Sequence, residues 1–136
     1  MIKRLFLLLS LIVILAACGG TETAAPAALS DPGSLPLNIS AETVAQYQNR
    51  DDVLLIDVRE QYEYDESHIP GITLIPMSEL EGRLSEIPTD KEVIVTCRSG
   101  NRSSQVTSYL QGLGYDNVHN MEGGILAWQA AGLPVE

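Results

Sequence analysis

Hydrophobic positions along this chain fall into three regimes. From Leu5 to Leu15 the apolar run is broken only by Ser10. From Gly19 to Leu37 large apolar residues almost vanish, and Gly, Ala, Pro, Ser and Thr give the composition of a flexible tether. Beyond it, short apolar runs alternate with amphipathic stretches. Leu37-Asn38-Ile39 predicts a short edge strand, and Ser40, a good N-cap residue with Glu42 behind it, predicts a helix to about Tyr47. Val53-Leu54-Leu55-Ile56-Asp57 is a continuous apolar run closed by an acid, as in a central parallel strand covered on both faces. Glu60 to Ser67 predicts a short helix or turn, His68-Ile69-Pro70-Gly71 a loop, and Ile72 to Ile75 a strand stopped by Pro76. Ser78 is expected to cap a helix with Leu80 and Leu84 inward, closed by Pro88. Val93 to Thr96 reads as the second central strand. After a loop, a helix is expected from about Ser103, with Val106, Tyr109, Leu110 and Leu113 on its buried face and Gly114 ending it. Asn117 to Met121 predicts the last strand, and Gly123-Gly124 leads into a helix carrying Ile125, Leu126 and Trp128.

Strands alternating with helices imply an α/β fold with a mainly parallel sheet. Sites in such sheets open at the carboxyl ends of strands, where Asp57, Cys97 and Met121 all fall.

The first regime has the layout of a secretion signal. Lys3 and Arg4 provide the positive start, and the apolar run is too short for an ordinary spanning helix. Leu15-Ala16-Ala17-Cys18, followed by Gly19 and Gly20, resembles the lipobox of bacterial lipoproteins. That resemblance implies cleavage after residue 17, lipidation of Cys18, and a protein exported and held on a membrane facing outside the cytoplasm. The domains are then a signal peptide over 1–17, a lipidated N-terminus and linker over 18–37, and one globular domain over 38–136.

The net charge of the 136-residue chain is −10. Cleavage would remove two of the eight basic residues and none of the 18 acidic ones, leaving −12. Such a balance argues against a nucleic-acid partner, which needs basic patches to neutralise phosphates. Arg98 and Arg102, flanking a cysteine in so acidic a chain, would make a local cationic pocket. There are two cysteines. Lipidation would consume Cys18, leaving Cys97 as the free thiol with no partner for a disulfide.

Chemistry concentrates in Cys97-Arg98-Ser99-Gly100-Asn101-Arg102-Ser103. A loop this short, between strand and helix, curls around the sulfur with its N–H groups inward. A nest of that kind at a helix N-terminus favours negative charge, so the thiolate gains over the thiol and Cys97 becomes a nucleophile. Ser99, Asn101 and Ser103 are expected to contribute N–H groups, with Ser103 also available as a helix cap. Gly100 supplies a conformation that a side chain would forbid. Arg98 and Arg102 are read as binders of an anionic substrate, because guanidinium pairs well with oxyanions.

Leu55-Ile56-Asp57-Val58-Arg59-Glu60, His68-Ile69-Pro70-Gly71, the Cys97 loop, Glu122-Gly123-Gly124-Ile125 with Ala127-Trp128, and Ala131-Gly132-Leu133-Pro134-Val135 resemble, in this order, a rhodanese-type sulfurtransferase. The resemblance covers about the whole domain. It implies a single rhodanese-like domain with a five-stranded, mainly parallel sheet flanked by helices, and a catalytic Cys97 that carries sulfur as a persulfide. It also implies a small anionic sulfur donor of the thiosulfate kind and a thiol or cyanide-like acceptor. The alternative is a binding or sulfur-carrier module docking a partner protein. Such modules commonly lack the cysteine or the loop glycine, and both are present here. Related phosphatases and arsenate reductases of this fold use a cradle one residue longer that closes on an arginine. Cys97 to Arg102 is C-x4-R, the shorter sulfur-handling length.

Asp57 and Arg59, at the end of a central strand, either support the site by bracing the cysteine loop or, the favoured reading, form a structural ion pair or cap. His68 reads as a loop-fixing group and His119 as a structural strand residue. Two separated histidines and one free cysteine give no metal-ligand cluster, and neither metal nor cofactor is expected. The chain is taken as a monomer.

Overall fold

The computed structural model describes residues 34–136; the leader, Cys18 and most of the tether lie outside them. Five strands, β1 (Asn38–Ile39), β2 (Val53–Asp57), β3 (Thr73–Leu74), β4 (Glu92–Thr96) and β5 (Val118–Met121), form one sheet in the order β1-β5-β4-β2-β3. Every neighbouring pair is parallel. The helices are α1 (Ala41–Ala45), α2 (Gln61–Glu66), α3 (Asn101–Gly112) and α4 (Gly124–Ala130), with a 3-10 helix over Leu80–Glu86. Among the described residues no helix is long and apolar enough to cross a membrane.

Alternation along the strands sorts the core into two layers. Val53, Leu55, Ile94 and Met121 face α1 and α4, where they pack with Val44, Ile125 and the fully buried Trp128. Ile56, Val93, Val95 and Val118 face α3, where Val106 and Leu110 meet them. Cys97 continues the parity of Val93 and Val95, so its side chain belongs to the α3 layer.

Three expectations are corrected. Ser78 caps nothing; its hydroxyl donates to Glu60 Oε2 at 2.9 Å, and the segment after it is a 3-10 helix. Gly82 disfavours an α-helix there, and Arg83 leaves helical geometry at φ −121° and ψ 16° while pairing with Glu79 and Glu86. Helix α3 starts at Asn101 rather than Ser103, because Gly100 turns the chain at φ +90° and lets the helix begin inside the loop. On α3, Val106 and Leu110 are buried but Tyr109 and Leu113 are exposed. The sheet beneath the helix accepts only a narrow stripe of it.

Candidate active site

Helix α3 follows β4 after only four loop residues, 97–100, so its N-terminal amides sit over the end of the strand. Cys97 is 1% exposed and lies on the floor of that loop. The Gly100 N–H donates to its Sγ at 3.1 Å, and the Ser103 Oγ lies 3.4 Å from the sulfur. Burial pushes the thiol up. The Ser103 hydroxyl and the N–H groups of Ser103, Ser99 and Gly100 outweigh it, holding the thiol's pKa below its ordinary value. The hydrogen bonds to the sulfur come from Gly100 and Ser103; Asn101, expected among the amide donors, makes none and starts α3 on the exposed side.

The two loop arginines divide. Arg102 meets Glu63 of α2 through two hydrogen bonds of 2.6 Å. Glu63 is held down to about 2, chiefly by those bonds and against the opposing effect of its burial. Arg98 is exposed and is the only arginine among the described residues whose side chain has no ion pair. It borders a cleft of about 440 Å³ shared with Arg59, Tyr62, Glu63, Ser67 and Leu126.

Asp57 and Arg59 form a buried ion pair, Nη2 to Oδ2 at 2.7 Å. Arg59 also donates to the carbonyls of Glu63 at 3.1 Å and Ser67 at 2.8 Å. It thereby fastens the end of β2 to the middle and the C-terminal end of α2, the helix that holds Arg102. The pair acts on the loop through α2 and does not touch the sulfur. His68 stacks on Tyr64 with ring centroids 3.8 Å apart, and its Nδ1 lies 3.0 Å from the Tyr64 carbonyl. His119 faces the other layer of the sheet, pinned between Glu92 Oε2 at 2.5 Å and the Pro36 carbonyl at 2.9 Å. No cluster of three metal-ligating side chains occurs among the described residues.

Two parts of the site take their roles from the fold rather than from any motif. The N–H groups of Ile125 and Leu126 donate to the carbonyls of Cys97 at 2.8 Å and Arg98 at 3.1 Å, docking α4 on the loop. Gly124 makes that approach possible: at φ +56°, a Cβ there would stand 2.3 Å from the Cys97 carbonyl oxygen. The doubled glycine was visible, but only the fold shows what it touches. The second part is Asn120, a buried amide whose Oδ1 lies 2.7 Å from Ser103 Oγ. Its sequence signal was a polar residue on the α3-facing parity of β5, opposite Val95.

Residues 40–131 match the model of the Rhodanese-like domain family. The chain belongs to that family. A protein named sulfurtransferase from Allochromatium vinosum is 43% identical over 98 residues, covering 71% of this chain and 92% of the relative. The thiosulfate sulfurtransferase GlpE of Pseudoalteromonas translucida is 31% identical over 94 residues, covering 69% of this chain and 90% of that one. A crystal structure of a rhodanese-related protein from Thermoplasma volcanium superposes with a TM-score of 0.66 at 35% identity, over 74% of this chain and 98% of its own. The single parallel-sheet domain is thus that of the rhodanese-like family, and its named relatives support sulfur transfer as the general chemistry.

Proposed function

We propose that this protein moves a sulfane sulfur from a small anionic donor of the thiosulfate kind to a thiophilic acceptor through a persulfide on Cys97. The observation that carries the reading is the sulfur's setting: Sγ takes the Gly100 N–H while the Cys97 and Arg98 carbonyls are drawn away to α4. The thiolate attacks the outer sulfur of the donor. A bond forms between Sγ and that sulfur, the donor's S–S bond breaks, and its electron pair leaves with sulfite. The acceptor, a cellular thiol or cyanide in an assay, then attacks the outer sulfur of Cys97–S–S⁻ and returns the thiolate. Amides already aimed at the anion need no reorganisation, and one such donor is worth ~3 kcal/mol in other enzymes.

Near-complete enclosure of Cys97 suits a donor that offers a terminal atom end-on. Arg98 is free to meet the donor's oxyanion at the mouth. Arg102, occupied by Glu63, does not close an anion cradle as the longer phosphatase loop requires. The leader supports placing the protein outside the cytoplasm on a lipidated Cys18.

The full-length chain should form thiocyanate from thiosulfate and cyanide, and Cys97→Ser should abolish this. Activity surviving in Cys97→Ser, or Cys97-dependent phosphate-ester hydrolysis faster than sulfur transfer, would overturn the reading. Sulfur mass on Cys97 from cells, with poor thiosulfate turnover, would mark a carrier instead.

A further inference from the structure

Ser103 Oγ has one proton and two acceptors within reach, Asn120 Oδ1 at 2.7 Å and Cys97 Sγ at 3.4 Å. The shorter contact to the harder oxygen holds the proton while the sulfur is a neutral thiol. In that state a lone pair of Oγ faces the sulfur and accepts from its S–H. The amide of Asn120 is itself held in orientation. Its Nδ2 donates to Asn38 Oδ1 at 3.0 Å, which keeps Oδ1 turned to Ser103. A flipped amide would present N–H groups to Oγ and drive its proton to the sulfur. Asn38, Asn120, Ser103 and Cys97 thus form one chain of hydrogen bonds from the sheet edge to the thiol, and Ser103 and Asn120 are both buried.

We propose that Asn120 is a positioning residue that keeps the Ser103 hydroxyl proton off Cys97 while the sulfur is protonated and yields it once the sulfur becomes an anion. When Cys97 loses its proton to solvent, Sγ can no longer donate. The O–H then turns from Asn120 to the thiolate. The exchange breaks one hydrogen bond to form another, so Asn120 restrains the acidity that Ser103 confers. This rests on Cys97 being the reactive sulfur but not on any donor or acceptor. Other charged groups at this end of the domain are Asp57 and Arg59 after β2, Glu63 on α2, Arg98 in the loop, Arg102 on α3 and Glu122 after β5. All are kept in the variants below.

The test is the pH dependence of Cys97 alkylation by iodoacetamide in the full-length chain, read by mass spectrometry of the Cys97 peptide. Asn120→Leu, similar in size and without an acceptor, should lower the midpoint by about 0.5 to 1 in pH, one modest hydrogen bond's worth. Ser103→Ala should raise it, and Asn120→Leu added to Ser103→Ala should bring no further change. Asn38→Ala, at an exposed edge position, frees the amide to flip and should lower the midpoint by less; it serves if Asn120→Leu does not fold. A midpoint that rises or stays put in Asn120→Leu, or in Asn38→Ala where that stands in, overturns the proposal. So does an equal shift with and without Ser103. Thiocyanate formation is read separately, so failure of the sulfurtransfer reading leaves this outcome legible.

Discussion

Arg102 and Glu63 meet fork to fork, Nη1 on Oε2 and Nη2 on Oε1, across the gap between the first turn of α3 and the middle of α2. The pair ties the cysteine loop to a helix that Arg59 has already fastened to β2. Glu63 is held at about 2 in the fold against an ordinary 4.5, so between those values the unfolded chain binds the proton the folded one refuses. Its contribution is complete above about pH 4.5 and is lost as pH falls toward 2. Glu63→Gln should therefore cost about 2 kcal/mol at pH 7. In urea titrations the gap to wild type should narrow steadily below pH 4.5. A gap independent of pH would refute the account.

Arg98 offers an exposed guanidinium with no ion pair, on the cleft beside the cysteine loop. Arg98→Ala should raise KM for thiosulfate roughly five- to tenfold with kcat nearly unchanged, since a charge-assisted contact to an exposed group is worth about 1 kcal/mol or a little more. Added salt should raise the wild-type KM toward the mutant's. Steady-state kinetics at two ionic strengths decide it; a fall in kcat at constant KM would place Arg98 elsewhere in the reaction.

Two glycines should respond to alanine with opposite sign. A Cβ on Gly124 would enter the backbone of Cys97 and Arg98, at 2.3 and 2.6 Å, in left-handed geometry. Gly124→Ala should lower stability by about 2 to 4 kcal/mol and sulfur transfer with it. Gly112, in the last turn of α3 with open space around it, should gain about 0.5 kcal/mol or more as alanine. Thermal melts of the two variants provide the comparison.

The proposed membrane anchor rests on one sulfur, that of Cys18. Cys18→Ser, expressed in a bacterial host, should move the protein from the membrane to the soluble fraction while leaving Cys97 chemistry unchanged. Fractionation and immunoblotting would show it, and an unchanged membrane share would remove the anchor proposal.

Much of this fold can be read from periodicity. The apolar runs at Val53 and Val93 gave β2 and β4, and the Ser40 cap gave α1, because each of those signals is local. Tyr109 and Leu113 misled because spacing identifies a helix face but not how wide a stripe the sheet accepts. The cysteine loop is legible as a motif, with Gly100 and Ser103 beside the sulfur, but Asn101 belongs to the exposed start of α3. Which arginine stays free is not legible, because Glu63 lies 39 positions from Arg102 and nothing local marks it as the partner. Asn120 and the α4 amides have no local mark for the same reason. Their chemistry exists only once β5 and α4 are laid beside β4.

The docking of α4 also fixes which way the loop's peptide planes can turn. A peptide unit has an electropositive and an electronegative edge, and a half-rotation exchanges them. With the oxygens of residues 97 and 98 tethered outside by Ile125 and Leu126, those units cannot roll over and show the sulfur a carbonyl. The sign of the potential inside the ring is thus set by a helix that never reaches into it.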